Sequence, residues 1–130
     1  MKLLVVILSY RVPDLTIDCL RSLSSEIGSV PGTRVALLDN GSGDETAQRV
    51  RDAIEANGWG SWVELTARDD NLGFTGGNNL LIRAALQSED PPEYVLLLNS
   101  DTLVWSHGLD ALVEFMDKYP RAGIAGSRML

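Results

Sequence analysis

Apolar positions fall along the chain in two rhythms. Residues 3 to 8, LLVVIL, form an unbroken apolar run, which predicts a strand buried on both faces, as in a parallel sheet. From Asp14 to Ile27 the leucines at 15, 20 and 23 and Ile27 recur near helical spacing, and Gly28, Pro31 and Gly32 end that helix. RVALLD, from Arg34 to Asp39, reads as a second strand. Ser42 and Glu45 then make the S-x-x-E pattern of a capping box, ahead of a helix with Ala47, Val50 and Ile54 inward and a stop at Asn57-Gly58. Trp62 to Thr66 is the third predicted strand. Leu80, Leu81, Ala84 and Ala85 mark a third helix starting beside Gly76 and Gly77, Tyr94 to Leu98 a fourth strand, and Ser106 to Lys118 a fourth helix. In AGIAGSRML, Ile124, Met129 and Leu130 predict a last strand with an unfilled neighbour, through which the chain is expected to self-associate as a homo-oligomer.

Strand and helix alternate four times with short connections. Right-handed crossovers then give a three-layer α/β/α fold around a mainly parallel sheet. No repeat, low-complexity tract or linker divides the 130 residues, so one domain is expected. In such sheets ligands sit beyond the carboxyl ends of the strands, near the point where strand order reverses. Four stretches follow the strands: Ser9-Tyr10-Arg11, Asp39-Asn40-Gly41-Ser42, NLGFTGGNN from Asn71 to Asn79, and Asn99-Ser100-Asp101.

Their chemistry narrows the ligand. A dehydrogenase-type dinucleotide fold would place glycines directly after the first strand, where this chain has SYRVPD, and a P-loop would need lysine where Asn78 stands. NLGFTGGNN is therefore either a loop presenting free amides at a helix N-terminus to an anion, or a tight turn whose asparagines satisfy those amides. Asp39 can accept hydrogen bonds from a ribose hydroxyl or a base N–H, or serve as a turn aspartate. Asn99-Ser100-Asp101 offers hard oxygen donors of the kind magnesium and manganese take together with substrate phosphates.

Charge and composition exclude other classes. A formal net charge of −7 argues against nucleic acid as a partner. The single cysteine, Cys19, excludes a disulfide framework and fits a core filler in a reducing compartment. The N-terminus lacks a signal-peptide cleavage pattern, and no apolar run reaches the roughly twenty residues of a membrane span. His107, the only histidine, is expected at a surface or capping position, Trp105 in the core or on a sheet edge or stacked on a sugar, and Trp59 and Trp62 packed locally.

VVILSYRVPDLTIDCLRSL, VALLDNGSGDET, NLGFTGGNN and YVLLLNSDTLV, in this order and spacing, resemble the inverting family 2 glycosyltransferases of GT-A fold, above all their rhamnosyltransferase-like and galactofuranosyltransferase-like branch. The likeness spans residues 1–130 and matches the N-terminal, donor-binding half of such enzymes. It implies a nucleotide-diphosphate sugar of the UDP or dTDP type as donor and a glycan or lipid-linked acceptor, in polysaccharide biosynthesis in the cytoplasm or at the inner membrane surface. By this resemblance Ser9, Tyr10 and Asp39 line the nucleoside pocket, joined by Arg11 and Asn40. Asn71, Gly73, Gly76, Gly77 and Asn78 lie near the ribose and phosphates, with Asn99 and Ser100 beside them. Asp101 holds a divalent cation, magnesium or manganese. Two positions depart from the family pattern: Asn99 replaces the first acid of D-x-D, and Arg11 stands where many members have asparagine. The family's base, an aspartate that deprotonates the acceptor, belongs to the other half, so no catalytic residue is assigned. A non-catalytic binding module of the same fold is the alternative, and a nucleotidyltransferase a weaker one.

Overall fold

The structure, a computed structural model, describes residues 1–128. Four parallel strands, β1 (Leu3–Ser9), β2 (Thr33–Asn40), β3 (Val63–Arg68) and β4 (Tyr94–Asn99), form one sheet in the order β3-β2-β1-β4. The helices are α1 (Pro13–Ser24), α2 (Thr46–Ala56), α3 (Gly73–Leu86) and α4 (Gly108–Lys118).

The unbroken apolar run of β1 feeds two cores. Leu3, Val5 and Ile7 point to one face, where α1 brings Cys19, Leu20 and Leu23, α2 brings Val50 and Ile54, and α4 brings Leu109 and Val113. Leu4 and Val6 point to the other, where α3 brings Leu81, Ile82 and Ala85. A strand buried on both sides needs side chains that suit apolar surroundings at every position, and β1 has them. The three-layer α/β/α reading is therefore the observed one.

Element ends differ from expectation. α1 stops at Ser24, not near Ile27, and residues 27–29 form a separate 3-10 turn. The hydroxyls of Ser22 and Ser24 donate to the carbonyls three residues back, a local competition that weakens a helix end. The Ser42–Glu45 capping box does not form. Instead Asp44 Oδ1 accepts the amide of Thr46, the first residue of α2, at 2.9 Å, and the Thr46 side chain, followed by this amide, holds the Asp44 carboxyl below its ordinary range. α3 begins three residues before Gly76, with Leu81, Ile82 and Ala85 inward, whereas Leu80 and Ala84 face outward.

Residues 121–128 form no strand, and Met129 and Leu130 lie outside the described residues. β3 and β4 are the edge strands of the sheet, and Val95 and Leu97 of β4 are 38% and 50% exposed.

Candidate functional site

Register fixes which loops meet. β1 pairs Ser9 with Asp39 on one side and Leu8 with Asn99 on the other. Asp39 and Asn99 thus flank the end of β1 from neighbouring strands, roughly 10 Å apart at two strand spacings. Successive strands step outward from β1 to β2 and β3, whereas β4 lies across β1, so strand order reverses between β1 and β4. That is the position at which open α/β sheets bind ligands.

On the β2 side the loops are locked together. Asp39 is buried, its Oδ1 accepting the Ser42 hydroxyl at 2.6 Å and its Oδ2 the Ser42 amide at 3.3 Å. The same hydroxyl oxygen accepts the Arg11 amide at 2.9 Å, and Arg11 Nε donates to the Ser42 carbonyl at 3.0 Å. Arg11 adopts a left-handed φ of 56° to make these bonds, a conformation uncommon for a residue with a side chain. Its guanidinium lies 5.1 Å from the centroid of the Tyr10 ring. Tyr10 and Arg11 are exposed, whereas Ser9 is buried. Thr16 spends its proton on the Val12 carbonyl, so the Ser9 hydroxyl donates to Thr16 Oγ1 at 2.8 Å. Ser9 therefore offers the mouth no free hydroxyl.

Asn40 ties β2 to the start of α3. Its Oδ1 accepts the Leu72 amide at 2.8 Å and its Nδ2 donates to the Gly73 carbonyl at 3.2 Å. Gly41 lets the two segments touch: at φ 80°, a Cβ there would lie 2.5 Å from the Asp70 carbonyl carbon. Asn71 Oδ1 accepts the Gly73 amide at 2.7 Å, so the asparagine caps the helix entry. Gly76 and Gly77 lie inside α3, not in a loop before it, which corrects the sequence reading. A Cβ on Gly77 would come within 3.0 Å of Leu8 and 3.1 Å of Leu38, so this glycine seats the helix on the sheet.

On the β4 side a cavity of about 290 Å³ opens between α3 and β4, lined among others by Leu8, Phe74, Asn78, Leu97 and the Asn99-Ser100-Asp101 turn. Asn78 is buried, and its Nδ2 has no hydrogen-bond partner among the described residues. Leaving such a donor unmet costs about 1–3 kcal/mol. Beneath the turn, burial and the Asp101 charge push the Cys19 thiol up to about 11. No group of three or more metal-ligating side chains forms among the described residues. Asp101, Asn99 and Ser100 offer one carboxylate and two neutral side-chain oxygens, fewer than the six or more oxygen ligands that a divalent cation of this kind takes. A second cavity, of about 330 Å³, lies between β4, α4 and residues 123–125 at the opposite end of the strands, and Glu93 is its one charged lining residue.

The histidine and tryptophans sort themselves. His107 precedes α4 at φ 65°, donates its amide to Glu26, and pairs with Asp110, which raises its pKa. Trp59 and Trp62 pack together at 6.0 Å between centroids. Trp105 is 79% exposed, neither in the core nor on a strand. Sequence reasoning set Ser42 in the second loop but read its S-x-x-E spacing as a cap, and it gave no role to Phe74, whose four-residue spacing from Asn78 places both on one helix face.

The model of the glycosyl transferase family 2 domain matches residues 4–130. The chain belongs to glycosyl transferase family 2. Among solved structures, S. aureus TarS residues 1–349 in complex with UDP-GlcNAc aligns with a TM-score of 0.72 at 24% identity, over 92% of this chain and 32% of that one. The mannosyltransferase PcManGT from Pyrobaculum calidifontis, in complex with GDP-Man and Mn2+, aligns with a TM-score of 0.73 at 18% identity, over 88% of this chain and 32% of that one. At these identities the likeness is one of fold. This family 2 chain spans about a third of the length of those structures. A comparison with curated proteins gave no match.

Proposed function

We infer that residues 1–130 form the donor-binding domain of a glycosyltransferase, and that the parent enzyme transfers a sugar from a UDP- or dTDP-linked donor to a glycan or lipid-linked acceptor. The observation that carries this is the reversal of strand order at β1, which brings Asp39 and Asp101 to the carboxyl end of one parallel sheet in a family 2 chain. The nucleoside lies over Tyr10, Arg11 and Asn40, with Asp39 accepting a base or ribose proton through lone pairs that Ser42 leaves free. The diphosphate crosses the start of α3, whose first-turn amides and dipole favour negative charge. A divalent cation, magnesium or manganese, held by Asp101 with Asn99 and Ser100 at its side, neutralises the leaving diphosphate when bound. The complex of PcManGT with Mn2+ supports a cation in this fold.

The four quoted segments support the rhamnosyltransferase- and galactofuranosyltransferase-like branch. The acceptor's base comes from another part of the parent, because His107 is engaged as the residue before α4 and Asp39 by Ser42. The alternative, a binding module without chemistry, shares the donor site and differs only in the parent. Calorimetry with UDP, dTDP, GDP and ADP tests the reading. Preference for a uracil or thymine diphosphate supports it, and equal affinity for all four, or none, refutes it. Sugar transfer by the 130 residues alone would overturn the division of labour.

A further inference from the structure

One buried donor at the mouth makes no hydrogen bond among the described residues. Asn78 is 6% exposed, lines the cavity between α3 and β4, and its Nδ2 meets no acceptor among the described residues. Gly77, the residue before it, presses α3 onto Leu8 and Leu38, so Asn78 cannot lift into solvent without undoing that packing. An unmet buried amide is unfavourable in the free protein and becomes an asset once a ligand oxygen reaches it.

The walls indicate what kind of ligand. Leu8, Phe74 and Leu97 supply apolar surface, Asp101 is the one charged side chain in the lining, and no lysine, arginine or histidine joins it among the described residues. At about 290 Å³ the cavity sits at the small end of ligand sites, whose usual range is roughly 300–1,000 Å³. That is room for one ring, not for a whole nucleotide.

We propose that Asn78 selects the transferred sugar: its amide donates to a hydroxyl of an uncharged hexosyl group whose C–H face lies on Phe74 and Leu97, and sugars bearing a carboxylate are turned away. This rests on the donor-binding reading above and narrows the donor to neutral nucleotide-linked hexoses. A uronosyl group would bring a further negative charge beside Asp101 and the diphosphate, against apolar walls without a cation to receive it. The preceding glycine and the amide act together, one fixing the depth of the helix and the other presenting the donor at that depth.

The test takes whichever of UDP, dTDP and GDP binds most tightly, and compares it by calorimetry with its neutral hexosyl conjugates (glucose, galactose, mannose) and its hexuronosyl conjugate. Wild type is expected to bind at least one neutral conjugate more tightly than the bare diphosphate, and the uronosyl conjugate no more tightly. Asn78→Ala should lose about tenfold in affinity for that neutral conjugate, the worth of one buried hydrogen bond, and nothing for the bare diphosphate. Asn78→Leu, which removes the unmet donor, should melt at or above the wild-type temperature. An equal loss for conjugate and bare diphosphate puts Asn78 at the phosphates and overturns the proposal. So does unchanged selectivity, or a lowered melting temperature in both variants with binding intact, and in each case the donor-binding reading stands. If no diphosphate binds at all, both readings fall.

Discussion

Gly41→Ala separates the close approach of two backbones from the ordinary cost of a left-handed residue. Gly41 and Gly43 share one loop and similar φ values, 80° and 71°. A Cβ on Gly43 would meet nothing nearer than the Gly41 carbonyl oxygen at 4.0 Å, whereas on Gly41 it would lie 2.5 Å from the Asp70 carbonyl carbon and 2.7 Å from the Asn71 nitrogen. Both variants carry the left-handed penalty of about 1–2 kcal/mol. Only Gly41→Ala must also push the 70–73 segment away, which strains or breaks the two Asn40 bonds to Leu72 and Gly73, each worth about 1 kcal/mol. Gly41→Ala should thus destabilise by roughly 3–4 kcal/mol against about 1–2 for Gly43→Ala. In a domain of this size that is a fall of roughly 10–15 °C in melting temperature. Urea unfolding of the two variants beside wild type gives the comparison, with the slope m unchanged as the check that both still unfold as wild type does. Equal destabilisation by the two alanines would refute the claim that Gly41 joins the second and third loops of the site.

Other variants test single contacts. Ser42→Ala removes the hydroxyl shared by Asp39 and Arg11 and should cost about 2 kcal/mol, read from the same urea curves; a change under 0.5 kcal/mol, the usual range for a surface position, would deny the network its role. The Cys19 thiol, pushed up to about 11, should resist an aromatic disulfide reagent at neutral pH until the protein unfolds, and rapid labelling of native protein would contradict its burial. The pairing with Asp110 raises the His107 pKa, so its contribution to stability is full below the unfolded value near 6.5 and is lost as pH rises through the folded one. His107→Ala should accordingly lower the melting temperature more at pH 5.5 than at pH 8.5, and an equal effect at both would remove the pair. Asp117 runs the opposite way: its hydrogen bonds from Lys2 and Tyr94 depress its pKa. Asp117→Asn should therefore destabilise at neutral pH, and the difference should fade as acid protonates the wild-type carboxyl.

Much of the architecture was legible because period and burial are sequence properties. The doubly buried β1 reads directly from LLVVIL, and alternation of strand and helix leaves few topologies. What the sequence hid depends on tertiary partners. S-x-x-E has the spacing of a capping box, yet Ser42 turns to the buried Asp39, since a carboxylate there needs a donor more than a helix end needs an acceptor. Glycines suggest a loop, yet Gly76 and Gly77 lie in α3, because a helix loses only about 1 kcal/mol per glycine and Gly77 gains contact with Leu8 and Leu38. The resemblance sets Ser9 in the nucleoside pocket, and no sequence pattern shows that its hydroxyl is bonded to Thr16. That Asp39, Asn99 and Asp101 would share one rim was legible because the carboxyl ends of parallel strands lie together whatever the side chains do. The unmet amide of Asn78 could not be read from any pattern, since it depends on the seating of α3.

The most direct test of the donor-site account is nucleotide affinity with and without manganese, measured by calorimetry for wild type, Asp101→Asn and Asn99→Ala with the diphosphate that binds best. Asp101 is the one carboxylate lining the cavity. If it anchors a cation bridging the diphosphate, Asp101→Asn should abolish the manganese-dependent part of the affinity, and Asn99→Ala should lose less, because a neutral amide oxygen adds no net charge to the site. An Asp101→Asn protein that keeps its full manganese enhancement would contradict the account and leave only the amides at the start of α3 to hold the phosphates.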